Sequence, residues 1–186
     1  MKRKDIFEII KIGLILFAIT AVSAGILAWV NSATEPIITA NAEAKRREAM
    51  TKVLPEAEAF EFVEYTDEES SVIEAYSAGG AGYVILAEPR GYSSTISIVV
   101  GIKPDLTVSS IDITSQSETP GLGANCVNEE FMSAFSGKTK DIKVVKSNPT
   151  ANQIDALSSA TVTTRAVVRG VNDALAAAEK LMGGDK

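Results

Sequence analysis

Nineteen consecutive uncharged residues, Ile12 to Val30, constrain this chain more than any other feature of it. At about 1.5 Å of rise per residue they make roughly 28 Å of helix, close to the thickness of a bilayer core. The run reads as one membrane span. Lys2, Arg3, Lys4 and Lys11 precede it, whereas the first basic residue after it is Lys45. That bias in flanking charge keeps the N-terminus in the cytoplasm and places everything from about Asn31 onward outside. Trp29 stands at the outer end, where an indole anchors at the interface. A cleaved signal peptide is the competing reading, with Val22-Ser23-Ala24 as a small-residue cleavage site; the length of the apolar run favours a retained anchor.

The residues beyond the span carry 14 basic and 22 acidic side chains over 156 positions, since four of the 18 basic and two of the 24 acidic residues lie before Asn31. That part is long enough to bury its own core. Its acidic balance argues against a nucleic-acid partner, which calls for a basic stripe. The whole chain has no histidine and one cysteine. A Ser/His or Cys/His catalytic pair is therefore excluded, as are an imidazole metal site, an internal disulfide and a zinc or iron–sulfur centre held by this chain alone.

Four segments follow from composition: a cytoplasmic N-terminus over 1–11, the anchor over 12–30, a helical stalk over 31–55 and a globular domain over 56–186. Pro36 suits the first turn of a helix that runs from Ile37 to Leu54, rich in Ala, Glu, Lys and Arg, before Pro55 stops it. Its basic run Lys45-Arg46-Arg47 reads as a solvated face. From Phe60 the pattern changes to short β-branched and aromatic segments. Strands are predicted over Phe60–Tyr65, Val72–Ser77, Gly82–Ala87, Thr95–Ile102 and Thr107–Thr114. Ile96, Ile98, Val100 and Ile102 share one face, and Lys103-Pro104-Asp105-Leu106 supplies the turn of an antiparallel hairpin. A short helix over Val127–Phe135 ending at Gly137, a strand over Asp141–Val145 and a long closing helix complete the chain. Thr164, Val167, Val171, Ala174, Ala178 and Leu181 give that helix one apolar stripe, and Gly183-Gly184 ends it. The expected fold is α+β: a single N-terminal transmembrane helix, then an exported antiparallel-sheet domain with a long C-terminal helix.

Three segments are candidates for a site. Gly79-Gly80-Ala81-Gly82 precedes a strand rather than a helix, so it reads as a hairpin loop and not as a phosphate cradle. In Glu118-Thr119-Pro120-Gly121-Leu122-Gly123, Pro then Gly suits a type II turn, and the glycines leave a bare backbone strip against which a flat ligand can lie. An ordinary turn with a solvated Glu118 fits those residues too. Cys126 just beyond reads as a small buried hydrophobe. Asp155-Ala156-Leu157-Ser158-Ser159-Ala160-Thr161, followed by Val162-Thr163-Thr164-Arg165, opens the last helix with five hydroxyls. Free amides and the positive dipole end make that a phosphate site, to which Arg165 adds donors. Simple capping by Ser158 or Ser159 is equally open.

On these motifs the chain resembles the G subunits of Rnf electron-transport complexes and, more distantly, the C subunits of sodium-pumping NADH:quinone reductases, both built on an FMN-binding domain. The likeness covers the N-terminal anchor, the Gly82-Tyr83 strand entry, Glu118 to Gly123 and Asp155 to Thr161. It implies FMN as cofactor and a flavin transferase that esterifies the FMN phosphate onto Thr161 during maturation. It implies also that Ser158, Ser159, Ala160 and Thr164 surround the phosphate, and that Glu118, Thr119, Gly121, Leu122 and Gly123 lie near the isoalloxazine. Ser159 departs from the family motif, which has glycine there. The implied role is an electron relay between reduced ferredoxin and NAD, coupled to Na⁺ or H⁺ movement, with other membrane subunits of the complex as partners and no catalytic residue or metal of its own. A type IV pilin shares the anchor, helix and sheet plan, but needs a glycine before its mature Phe and a Glu soon after. Around Phe7 this chain has Ile6 and Lys11. A flavin-free exported binding domain is the remaining reading, distinguished by colour.

Overall fold

The structure is a computed structural model that describes residues 3–183; the side chains of residues 1–7 and of Ile9 lie outside the description, as do the expected flanking Lys2 and the helix-ending Gly184. Helix α1 spans Arg3–Val53. Over the apolar run its side chains are exposed on every side, Leu14, Phe17, Val22, Leu27 and Trp29 among them. The helix is apolar all round there, and it is long and apolar enough to cross a membrane.

Pro36 does not open a second helix; it lies inside α1. The ring fixes φ at a helical value, so its cost is the lost hydrogen bond to the Ser32 carbonyl and the crowding there, not the helix itself. No glycine between Gly25 and Val53 offers a stop. The last turns of α1, from Lys45 onward, belong to the same compact unit as the sheet.

That unit is built on a five-stranded antiparallel meander. Its strands are β1 (Glu61–Val63), β2 (Val72–Ser77), β3 (Tyr83–Ala87), β4 (Ser97–Ile102) and β5 (Val108–Ser115), paired in chain order. Helix α3 (Thr161–Gly183) covers one face. There Ile96, Ile98, Val100 and Ile102 meet Val167, Val171, Ala174 and Ala178 in the main core, as the stripe predicts. The other face carries Val84, Leu86 and Val99, which pack with Ala49, Met50, Val53 and Leu54 from the end of α1. Strands β3 and β4 are consequently buried on both faces. Of the basic run, Lys45 and Arg47 are exposed, but Arg46 pairs with Glu74 at 2.8 Å.

Turns follow their residues. Gly79–Ala81 forms one 3-10 turn between β2 and β3. Gly82 leaves it at φ +121, where any Cβ would run into the Ile102 carbonyl of the adjacent strand. The Lys103 to Leu106 turn closes through Leu106 N–H to the Lys103 carbonyl at 3.0 Å. Two expectations change farther on. The helix expected over Val127–Phe135 is a 3-10 turn, Gly123–Val127, then α2 (Glu129–Ser133), separated by the extended backbone of Asn128. The strand expected over Asp141–Val145 is β6 (Lys143–Val145), and it pairs in parallel with an additional strand, β7 (Gln153–Asp155).

The contact of α1 with β4 is made at Gly101, where an added Cβ would collide with the Val53 carbonyl, its carbon only 2.8 Å away. Gly101→Ala is expected to lower stability by about 1–3 kcal/mol, the cost of overpacking a close backbone contact. Chemical denaturation of the detergent-solubilised chain checks this; an unchanged midpoint would mean that the end of α1 does not seat on the sheet.

Candidate FMN site

The last motif does not open α3 but leads up to it. Asp155 ends β7, and Ala156 N–H donates to the Val145 carbonyl at 2.8 Å. Leu157 to Ala160 then form a tight turn, closed by Ala160 N–H to the Leu157 carbonyl at 2.9 Å. Within it Ser159 sits at φ +60. A left-handed backbone costs an L-residue about 1–2 kcal/mol and a glycine nothing comparable, which is the physical reason a glycine suits this place. Thr164 holds the turn from inside: fully buried, its hydroxyl accepts from Leu157 N–H and donates to the Ala160 carbonyl, both at 3.1 Å.

Ala160 occupies the N-cap position, its carbonyl taking the first helical bond from Thr164 N–H at 3.0 Å. It has no side-chain oxygen with which to cap. Among the described residues the hydroxyls that make hydrogen bonds at this turn are those of Thr163 and Thr164, and neither Ser158 nor Ser159 caps α3 with its side chain.

Glu118 is the second organiser, and it is not a solvated acid. Only 5% of it is exposed. One carboxylate oxygen, Oε2, accepts from the Thr163 hydroxyl at 2.6 Å and from Tyr92 N–H at 3.2 Å, while Oε1 accepts from the N–H groups of Ser93 and Ser94 at 2.9 and 3.0 Å. Burial alone would raise its pKa; the Thr163 hydroxyl and the three amides outweigh it and hold the carboxyl below its ordinary 4.5. Two glycines permit the approach. A Cβ on Gly91 would lie 2.6 Å from Oε1, and one on Gly123 would lie 2.6 Å from Thr163 Oγ1 and 2.8 Å from Oε2. Pro120-Gly121 makes the expected turn, with Gly121 at φ +75 and Leu122 N–H donating to the Thr119 carbonyl at 3.2 Å.

Glu118 and the last motif thereby meet at one cleft of about 570 Å³, lined by Tyr92, Glu118, Thr119, Leu122, Gly123, Ser159, Ala160, Thr161, Val162 and Thr163. That volume lies within the roughly 300–1,000 Å³ usual for ligand pockets. Glu118, Gly123, Ala160 and Thr163 are buried and form its floor, whereas Tyr92, Leu122 and Val162 stand exposed around its rim. A polar floor, a bare glycine strip, an apolar rim and a helix N-terminus suit a flat heteroaromatic carrying a phosphate. Three residues named from the sequence stand elsewhere: Gly121 is exposed on the turn, Thr164 is enclosed beneath it, and Ser158 lines a neighbouring cleft of about 450 Å³ with Asp155, Leu157 and Phe131. Arg165 is exposed and outside the lining. Cys126 is fully buried as expected, and burial pushes its thiol up to about 11, which leaves it inert at neutral pH. Tyr92 and Val162 are the residues that sequence reasoning missed. Tyr92 lies in a Gly-Tyr-Ser-Ser loop between β3 and β4 whose only signal is that of a connection.

Glu118→Gln keeps the shape but removes the charge, and is expected to lower stability by about 1.5–3 kcal/mol at pH 7, the range for hydrogen bonds to an ionised group. The folded carboxyl titrates below 4.5, so its stabilisation is complete above that value and is lost as the pH falls through it and through the lower folded value. Denaturation curves of the two proteins should therefore converge on acidification; a difference independent of pH would place the effect in packing.

Residues 91–176 match the FMN-binding domain family, and residues 1–53 match the RnfG N-terminal region. The G subunit of the ion-translocating oxidoreductase complex of Methanosarcina acetivorans is 32% identical over 92% of this chain and 95% of its own length. The G subunit of the Na⁺-translocating ferredoxin:NAD⁺ oxidoreductase complex of Acetobacterium woodii is 33% identical over 88% of each. Among solved structures, the C subunit of the Na⁺-translocating NADH-quinone reductase of Parabacteroides distasonis superposes with a TM-score of 0.51 at 24% identity, over 62% of this chain and 63% of that one, and so shares the fold. With relatives above 30% identity that align over nearly all of both chains, the chain belongs to the RnfG family, the G subunits of ion-translocating oxidoreductase complexes.

Proposed function

We propose that this chain is the flavin-carrying subunit of a membrane-bound ferredoxin:NAD oxidoreductase complex that moves Na⁺ or H⁺, with FMN held through a phosphoester to Thr161. The observation that carries the assignment is the division of labour among three neighbouring threonines. Thr163 and Thr164 are buried and hydrogen-bonded within the fold. Thr161 lines the cleft, is half-buried, and among the described residues its hydroxyl has no hydrogen-bond partner. It is the one whose oxygen the fold leaves for chemistry.

FMN, when bound, supplies reversible electron uptake and release. The chain's part is to hold and tune it. A phosphodiester at Thr161 would lie at the first turn of α3, where amide donors and the positive dipole end favour an anion. Thr119 and the backbone of Leu122 and Gly123 offer donors along the cleft, and donors aimed at a flavin ring favour added negative charge on it. The chain has no histidine, and Glu118, the ionised group in the floor of the cleft, already accepts hydrogen bonds from the Thr163 hydroxyl and three backbone amides. This supports a relay rather than a self-sufficient enzyme.

The excess of basic residues before the span supports a cytoplasmic N-terminus and a domain on the outer side. A flavin transferase acting there is the partner in maturation. Electrons from a cytoplasmic carrier then reach the domain through other membrane subunits of the complex.

Denatured protein from cells that also express the transferase should carry a mass increment of FMN less one water, and Thr161→Ala should lack it while remaining folded. An unmodified wild-type mass, or an increment that survives the substitution, would refute the attachment site.

A further inference from the structure

We propose that Tyr92 is a positioning residue for the flavin, its ring forming one wall of the slot and stacking on the isoalloxazine; this rests on the reading that FMN occupies the cleft. The side chain is out of keeping with its own backbone. Tyr92 N–H is fixed on Glu118 Oε2, the next two amides are fixed on Oε1, and Gly91 N–H closes the loop on the Ser94 carbonyl at 2.8 Å. Behind it, Gly91 lies so near Glu118 that a Cβ would be 2.6 Å from the carboxylate. The loop has little room to move, yet Tyr92 is 73% exposed.

The other three tyrosines are accounted for by the fold. Tyr65 and Tyr83 pack against the main core and Tyr76 against the smaller one, and the hydroxyls of Tyr65 and Tyr76 donate to Asp67 and Glu74. Among the described residues Tyr92 has neither a ring contact nor a hydroxyl partner. A large ring carried on a fixed backbone and left exposed at the lip of a cleft is explained by what enters the cleft. The company it keeps names the chemistry: Leu122 and Val162, 40% and 50% exposed, line the same opening above a polar floor. An aromatic face with two aliphatic side chains suits a flat π-system, which gains from offset stacking as well as from lost water contact. The phosphate end belongs at α3, so the ring end belongs at this rim.

Full-length wild type, Tyr92→Phe and Tyr92→Leu, each produced with the transferase, are compared by flavin fluorescence, visible-region circular dichroism and flavin content. A phenol stacked on a photoexcited flavin quenches it by donating an electron that recombination returns. Tyr92→Leu should therefore raise fluorescence severalfold and change the dichroism of the bound flavin, with flavin content and thermal midpoint unchanged. Tyr92→Phe should also raise fluorescence, because phenylalanine is a poor donor, while keeping the wild-type dichroism because the stack remains. Fully flavinylated Tyr92→Leu with wild-type fluorescence and dichroism would overturn the proposal and leave the FMN reading intact; it would assign the exposed ring to a protein partner instead. A wild type without flavin would overturn both.

Discussion

The architecture of the site depends on one buried carboxylate. Glu118 follows the end of β5, and its carboxylate accepts hydrogen bonds from the loop between β3 and β4 and from the first turn of α3. Taking a carboxylate out of water is costly, and the cost is offset only where oriented donors replace the solvent. Here the close donors are three amides and the Thr163 hydroxyl, from a loop and a helix that the packing of α3 on β3 and β4 already brings near each other. The glycines at 91 and 123 are the steric counterpart, because either Cβ would intrude on the same carboxylate. A hydrogen-bonded anion in the floor of the cleft thus fixes, at once, the rim residue Tyr92, the 118–123 turn and the start of the helix that bears Thr161.

What supports this hub is a sheet enclosed on both faces. Strands β3 and β4 present alternate residues to α3 and to the end of α1, so Val99 and its neighbours Ile98 and Val100 belong to different cores. The second layer consists of residues that composition assigns to a stalk. Ala49, Met50, Val53 and Leu54 are as buried as the centre of the sheet, and Gly101 admits Val53 only because it lacks a side chain. The sheet would otherwise expose an apolar face, the kind of surface that invites association.

Much of this was legible from local pattern, and the rest was not for reasons particular to each place. Strand β2 has the residues expected for it, and β3 to β5 fall within two residues, because alternation and turn chemistry are encoded within a few positions. Strand β7 has three residues and is held by a parallel partner across a polar loop, so no window of sequence carries its signal. Pro36 reads as a helix start because a proline is usually found there, yet the same fixed φ lets the helix run through it. Glu118 shows the larger limit. Its partners lie 24 to 26 and 45 residues away, and nothing at Glu-Thr-Pro-Gly announces that amides from another loop will satisfy a buried charge. Thr161 stood out only through a family motif, and its distinction from Thr163 and Thr164 became physical once burial and bonding were known.

The proposed attachment also accounts for the openness of the cleft. A site that must hold a freely exchanging ligand gains affinity by enclosing most of its surface. This cleft keeps a wide apolar rim in contact with solvent, with Leu122 and Val162 about half exposed. A phosphoester at Thr161 removes dissociation from consideration, so the walls need only orient the ring and set its electronic surroundings. An exposed ring edge is then an advantage, because electron exchange with neighbouring proteins of the complex depends on close approach. Under the proposed attachment, the left-handed Ser159 that turns the chain sharply into α3 and the helix start that follows it would hold the phosphate end, and the apolar rim would leave the redox-active end accessible.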